Sequence, residues 1–156
     1  MKIIGKYPKT RLRRVRNNDW IRRLVSENDL STNDLILPLF IREGKNKVES
    51  IKNMPGVYRY TIDKLPSFID RAIKIKIPMV ALFPYTKKNK KDILGTEALN
   101  ENNLVCRAIQ LIKKRYKNKI GIMCDVALDP YTSHGHDGLF NSGYVLNDET
   151  VNILVK

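Results

Sequence analysis

Met79-Val80-Ala81-Leu82-Phe83, then Leu104, Val105, Ala108, Ile109 and Ile112 at helical spacing, then Ile120-Gly121-Ile122-Met123-Cys124-Asp125-Val126-Ala127-Leu128: the fold turns on these residues. Short unbroken apolar runs, the first bounded by Pro78, predict strands buried on both faces, and apolar residues three and four apart predict one face of an amphipathic helix. The same alternation stands upstream. Leu35-Ile36-Leu37-Pro38-Leu39-Phe40-Ile41 reads as a strand, although Pro38 lacks the N–H that a central ladder position requires, and Leu65, Phe68, Ile69, Ala72 and Ile73 mark a helix.

Strands alternating with crossover helices make a parallel sheet, either an open doubly wound sheet or a closed barrel. The chain has no G-x-G-x-x-G and no G-x-x-x-x-G-K-[ST], the nucleotide-binding fingerprints of doubly wound folds, which favours the barrel. A complete eight-stranded barrel takes roughly 250 residues, so 156 residues hold about three βα units. The expected fold is therefore α/β, a partial TIM (β/α)8 barrel preceded by an extended N-terminal arm. Residues 1–30 form the arm, with a short helix (Trp20, Ile21, Leu24, Val25) behind Asn18 as N-cap, and residues 31–156 form the barrel portion. Asn147 is expected to cap a final helix that carries Asp148 and Glu149 in its first turn and stops at Val155-Lys156. An unclosed sheet and an unfinished helix would leave apolar faces and backbone edges that another chain must cover.

Composition bounds the class. With 42% hydrophobic residues the chain can bury one ordinary core. Its start, Met1-Lys2-Ile3-Ile4-Gly5-Lys6, lacks the apolar stretch of a signal peptide, and no window is long enough to span a bilayer, which predicts a soluble, cytoplasmic protein without membrane partners. Cys106 falls in a helical pattern and Cys124 in a strand, as small buried hydrophobes with reduced thiols rather than a disulfide framework. The net charge of +13 raises an RNA-binding alternative. Much of the excess sits in Lys9-Thr10-Arg11-Leu12-Arg13-Arg14-Val15-Arg16 and Lys87-Lys88-Asn89-Lys90-Lys91, and neither stretch interleaves the aromatic residues on which single-stranded bases stack. Nucleic acid is therefore the disfavoured partner.

The richest polar cluster runs from Asp125 through Asp129-Pro130-Tyr131-Thr132-Ser133-His134-Gly135-His136-Asp137-Gly138, starting at the end of a predicted strand, where barrels build their active sites. Asp125 lies within an apolar run, where an ionised carboxylate is costly without a cation or donors. The alternative is a carboxylate that accepts backbone hydrogen bonds or caps a turn. Asp129 and Asp137 are hard oxygen donors that, with His134 or His136, can hold Mg²⁺ or a transition ion. Equally, Asp-Pro can start a turn and the His-Gly-His-Asp-Gly run can be a hydrogen-bonded loop. No nucleophilic triad is supported, because Ser133 lacks the G-x-S-x-G elbow.

At this stretch the chain resembles the porphobilinogen synthase (5-aminolevulinate dehydratase) family. Asp125 to Gly138 and Gly143-Tyr144-Val145-Leu146-Asn147-Asp148-Glu149-Thr150 carry the resemblance. In the family's order they are preceded by Arg11-Leu12-Arg13-Arg14, Leu35 to Phe40, Met54-Pro55-Gly56-Val57-Tyr58 and Val80-Ala81-Leu82-Phe83-Pro84. The resemblance covers nearly the whole chain. It implies a lyase that condenses two 5-aminolevulinate molecules to porphobilinogen, and a homo-oligomer of the octamer type in which the basic arm wraps a neighbouring subunit. Asp125 matches the family's active-site aspartate, in contact with substrate amino groups or assisting proton transfer. Where zinc-dependent members have three cysteines this sequence has Ala127, Asp129 and Asp137, which implies the aspartate-bearing type with Mg²⁺ and disfavours Zn²⁺. The two lysines that form Schiff bases with the substrates belong to the family's C-terminal half, together with later substrate-binding arginines, a lid and an allosteric Mg²⁺ position. The expectation is a fragment, or one half of a split enzyme completed by a C-terminal half. The alternatives are a non-catalytic remnant and a basic RNA-binding protein.

Overall fold

A computed structural model of the chain describes residues 5–156, which fall into two compact units, the first ending at Ser31 and the second running from Thr32 to Lys156. In the first, a single 3-10 turn, Arg14–Arg16, precedes α1 (Asp19–Leu24). Asn18 holds the N-cap position with extended backbone but makes no side-chain cap bond. Asp19 instead pairs with Arg22 at 3.4 Å and Arg23 at 3.2 Å, one helical turn on. This helix buries no residue, and Leu12, Trp20 and Leu24 are all exposed.

The second unit is a five-stranded sheet in the order β2-β3-β1-β4-β5, with helices on one face. The strands are β1 (Ile36–Arg42), β2 (Val48–Ser50), β3 (Tyr58–Thr61), β4 (Met79–Tyr85) and β5 (Gly121–Cys124). Parallel pairing joins β3 to β1, β1 to β4 and β4 to β5, and only the short β2 runs antiparallel. Pro38 is accommodated within a central strand because β1 is registered along β4 from Ile36 to Arg42 but meets β3 only from Phe40 onward. Its missing N–H falls before the second ladder begins.

The helices α2 (Leu65–Lys74) and α3 (Leu104–Tyr116) occupy the predicted positions. Asn103 caps α3 by accepting the Cys106 N–H at 2.9 Å. Leu65, Ile69 and Ala72 of α2 and Leu104, Ala108, Ile112 and Tyr116 of α3 pack on Leu39, Ile41, Val80 and Leu82 as one core, joined by Ile122 and Cys124. The Tyr116 hydroxyl donates to the Pro66 carbonyl at 3.0 Å and ties the end of α3 to the start of α2.

The strands are covered on one face, not on both as their unbroken apolar character predicts. Side chains alternate across a strand, so the odd residues of β1 and even residues of β4 and β5 meet the helices. Ile36, Phe83, Tyr85 and Met123, on the other face, are exposed. Phe40 and Phe83, paired in register, stack there at 5.4 Å between ring centres. This face is apolar, which is why the runs read as doubly buried. Beyond β5 the chain makes a small hairpin, β6 (Phe140–Asn141) and β7 (Tyr144–Val145), turned by Ser142 and Gly143, both with positive φ. It ends in α4 (Asn147–Leu154), where Leu146 rather than Asn147 takes the cap position. No helix among the described residues is long and apolar enough to cross a membrane.

Candidate active site

β5 ends at Cys124, opposite Leu82 of β4, four residues before the predicted end at Leu128. Asp125 stands just past the last ladder residue and is exposed. The cost of burying its carboxylate therefore does not arise; it sits at the mouth of the strand, among the carboxyl ends of the parallel strands. From there the chain turns inward at Leu128, which is buried. The Tyr131 and Thr132 N–H groups both donate to the Leu128 carbonyl, at 2.8 and 2.9 Å, closing the turn that presents Asp129.

The loop after β4 holds this turn in place. Asp92 and Thr132 form an isolated parallel bridge, in which the Asp92 N–H donates to the Tyr131 carbonyl at 3.3 Å and the Ser133 N–H to the Asp92 carbonyl at 2.8 Å. The Asp92 carboxylate accepts from the Leu94 N–H at 2.9 Å, the Thr96 N–H at 3.1 Å and the Thr96 hydroxyl, which hold its proton affinity below the usual range, the hydroxyl foremost. One residue earlier, Lys91 Nζ donates to the Asp129 carbonyl at 3.2 Å. A cavity of about 240 Å³ opens here, with Asp125, Asp129, Lys91 and Tyr131 in its walls above Leu82 and Phe83. A second, of about 540 Å³, adjoins it through Pro84, Lys91 and Pro130 and reaches Tyr85, Lys88 and Ser133.

Burial raises the proton affinity of the Asp129 carboxyl, and the carboxylates of Asp137 and then Asp125 push it further in the same direction; Lys91 opposes them. The structure thus brings the three sequence-selected aspartates into one electrostatic neighbourhood. The Tyr131 phenol, buried, is pushed up to about 12 and stays protonated across the physiological range. Burial likewise raises the Cys124 thiol, with Cys106 adding to it, so the free thiol stays protonated and weakly nucleophilic.

The histidines have structural partners. The His136 N–H donates to His134 Nδ1 at 3.1 Å, which leaves the proton on Nε2 to be donated to the Ile93 carbonyl at 3.2 Å. Both ring nitrogens of His134 are engaged, and the His136 ring stacks on Phe140 with centres 4.3 Å apart. Among the described residues no three His, Cys, Asp or Glu side chains gather as a metal-ligand group. The carboxylates of the loop, Asp129 and Asp137, are oxygen donors of the kind a hard, strongly hydrated cation takes.

The basic loop after β4 is solvated only in part. Lys87 and Lys88 are exposed, but Lys90 Nζ lies 2.8 Å from Glu97 and 3.4 Å from Glu43, and Glu43 also pairs with Arg107 of α3. Burial alone would raise Glu43; Arg107 and Lys90 outweigh it and hold its carboxyl below the usual range. Sequence reasoning missed Lys91 and Tyr131 as cavity residues. The signal open to it was position, since Lys91 follows the carboxyl end of a barrel strand, where functional side chains collect.

The profile of the delta-aminolevulinic acid dehydratase family matches residues 9–156. The delta-aminolevulinic acid dehydratase of Bradyrhizobium diazoefficiens is 55% identical over 146 residues, 94% of this chain and 41% of that protein. That of Chlamydia pneumoniae is 43% identical over 143 residues, 92% of this chain and 43% of that protein. The crystal structure of delta-aminolevulinic acid dehydratase (porphobilinogen synthase) from Toxoplasma gondii ME49, in complex with the reaction product porphobilinogen, superposes with a TM-score of 0.83 at 36% identity, over 93% of this chain and 41% of that one. The chain therefore spans less than half the length of these relatives, and its sheet is part of their TIM barrel. A profile match over nearly the whole sequence, joined to an aspartate-bearing loop at the carboxyl end of β5, settles the kinship: the chain belongs to the delta-aminolevulinic acid dehydratase family.

Proposed function

We propose that residues 32–156 supply the first strands and the aspartate loop of a porphobilinogen synthase, which condenses two 5-aminolevulinate molecules to porphobilinogen with loss of water. The observation that carries this reading is the convergence of Asp125, Asp129 and Lys91 on one cavity at the carboxyl end of the parallel sheet, in a chain that matches this family. The Asp125 carboxylate, exposed at the mouth of β5, binds a substrate ammonium or accepts its proton; a group so placed contributes roughly 10²–10⁴ in rate. The Tyr131 phenol, protonated up to about pH 12, donates and does not act as a base. The family is metal-dependent in general. The carboxylates of Asp129 and Asp137 are the ligands of a hard cation, Mg²⁺, whose charge would offset theirs. The amine chemistry that the resemblance assigns to two lysines comes from outside residues 1–156. The arm, residues 1–30, contacts a neighbouring subunit of a homo-oligomer in the cytoplasm, and its exposed Leu12, Trp20 and Leu24 support that role.

The test is porphobilinogen formation from 5-aminolevulinate with Mg²⁺, by the purified chain alone and by the chain co-expressed with the C-terminal half of a relative. Product is expected only on co-expression, with Asp125→Asn reducing kcat at least a hundredfold while the two halves still co-purify. Full turnover by the co-expressed Asp125→Asn protein would remove Asp125 from the mechanism; co-purification without any product would favour a non-catalytic remnant.

A further inference from the structure

We propose that the Lys91 ammonium is the built-in cation of the aspartate loop, and that it holds the affinity of Asp129 and Asp137 for divalent ions low. The inference rests on the assignment of those two carboxylates as cation ligands given above.

Three observations lead to it. First, the position of Lys91 is fixed by backbone pairing. The next residue, Asp92, is bridged to Thr132, with its N–H and carbonyl bonded to Tyr131 and Ser133. Residue 91 therefore keeps its register against the Asp129 turn whatever its side chain does. Second, the ammonium is held inside the site. Nζ donates to the Asp129 carbonyl at 3.2 Å, and Lys91 lines both the cavity that holds Asp125 and Asp129 and the larger one beside it. Third, its charge is not consumed elsewhere. Lys90 is paired with Glu97 and Glu43, whereas no carboxylate lies within 4.0 Å of Lys91 among the described residues, and its acceptor, the Asp129 carbonyl, is neutral. A part-buried cation without an ion-pair partner, beside a cluster of carboxylates, acts on that cluster as a whole.

The magnitude follows from Coulomb's law. A dication roughly 7 Å from a fixed single positive charge is repelled enough to lower its affinity about tenfold even in a water-like dielectric, and more where solvent is excluded. Conversely, the fixed charge supplies part of what the carboxylates need without any metal. Lys91 is thus a positioning and charge-balancing residue for Asp129 and Asp137.

Mn²⁺ is a suitable probe because its binding is read by electron paramagnetic resonance without turnover. Lys91→Met removes the charge and the hydrogen bond; Lys91→Gln removes the charge but keeps a donor; Lys91→Arg keeps the charge. With the 156-residue chain, Lys91→Met and Lys91→Gln are expected to bind Mn²⁺ about tenfold more tightly than the parent, and Lys91→Arg within about twofold of it. The added affinity is expected to vanish when Asp129→Asn and Asp137→Asn are combined with Lys91→Gln. Unchanged or weaker binding in Lys91→Gln, with circular dichroism and Tm like the parent's, overturns the role of Lys91 and leaves the activity proposed above standing. Tighter binding that survives both Asn substitutions overturns the ligand assignment and this inference with it. Should Lys91→Met fail to fold, Lys91→Gln against Lys91→Arg carries the same comparison.

Discussion

Asp129 is a carboxyl whose ionisation the fold resists. Burial and the carboxylates of Asp137 and Asp125 raise its proton affinity above that of the unfolded chain, so between the unfolded value, near 3.9, and the higher folded one, the folded state binds more protons. Stability linked to this group is fully present below the unfolded value and is lost as pH rises through the folded one. Asp129→Asn should therefore stabilise the chain at pH 7.5, by about a few tenths of a kcal/mol because solvent still reaches the carboxyl, and should do nothing at pH 3. Urea unfolding of both proteins at the two pH values reads this directly; an equal effect at both would mean that Asp129 acts through packing and not charge. At this scale the sequence was legible by residue type but not by surroundings. Asp129 and Asp137 stood out as hard donors in a polar loop and Asp125 as a carboxylate in an apolar run, and both Asp137 and Asp125 act on Asp129 electrostatically. That Asp125 is exposed depends on where ladder pairing stops, and that Lys91 reaches the Asp129 carbonyl depends on a bridge between two loops; neither leaves a periodic trace.

At the scale of elements, the Thr150 hydroxyl of α4 ties the helix to the chain that leaves the aspartate loop. Thr150 Oγ1 accepts the Leu139 N–H at 2.9 Å and donates to the Leu146 carbonyl at 2.5 Å, and so binds the chain entering β6 to the start of the helix. Beside it Gly138 has no room for a side chain: a Cβ there would stand 2.5 Å from Thr150 Oγ1 and 2.9 Å from Val145 Cγ1. Thr150→Val keeps the volume but leaves the Leu139 N–H without its acceptor, at an expected cost of about 1–2 kcal/mol. Gly138→Ala forces the helix or the hairpin aside, at about 1–3 kcal/mol. Thermal unfolding measures both; because the two residues touch, the double variant should cost less than the sum of the singles, and additivity would refute a shared clamp. The main helices were legible because α2 and α3 show full apolar faces; the Asn103 cap of α3 emerged only from the structure. The hairpin and the strands β2 and β3 were not predicted. They are two to four residues long, too short for a period of two to rise above noise.

The whole second unit is a sheet with one face covered, and that asymmetry is its strongest physical constraint. Ile122 and Met123 are adjacent in β5 and point to opposite faces: Ile122 packs against the helix-covered core, whereas Met123 is 43% exposed beside Phe83 and Ala81. From sequence both read as interior, because a barrel strand is apolar toward its helices and toward the barrel's own centre. Only the number of strands present decides which face is open. A charge at each position separates the two. Ile122→Lys buries an ammonium under α3 and should unfold the chain or cost several kcal/mol. Met123→Lys should leave the stability of the 156-residue chain within about 0.5 kcal/mol and lessen its aggregation, since it breaks an exposed apolar patch. In the co-expressed complex the order of effect reverses for Met123. If the open face receives the remaining strands, Met123→Lys places a charge in the closed interior, so co-purification with the C-terminal half should fall at least tenfold, while the conservative Met123→Leu should retain it. A Met123→Lys chain that still co-purifies in full would show that this face stays open in the assembled protein and that the second half joins through the edge of β5 alone.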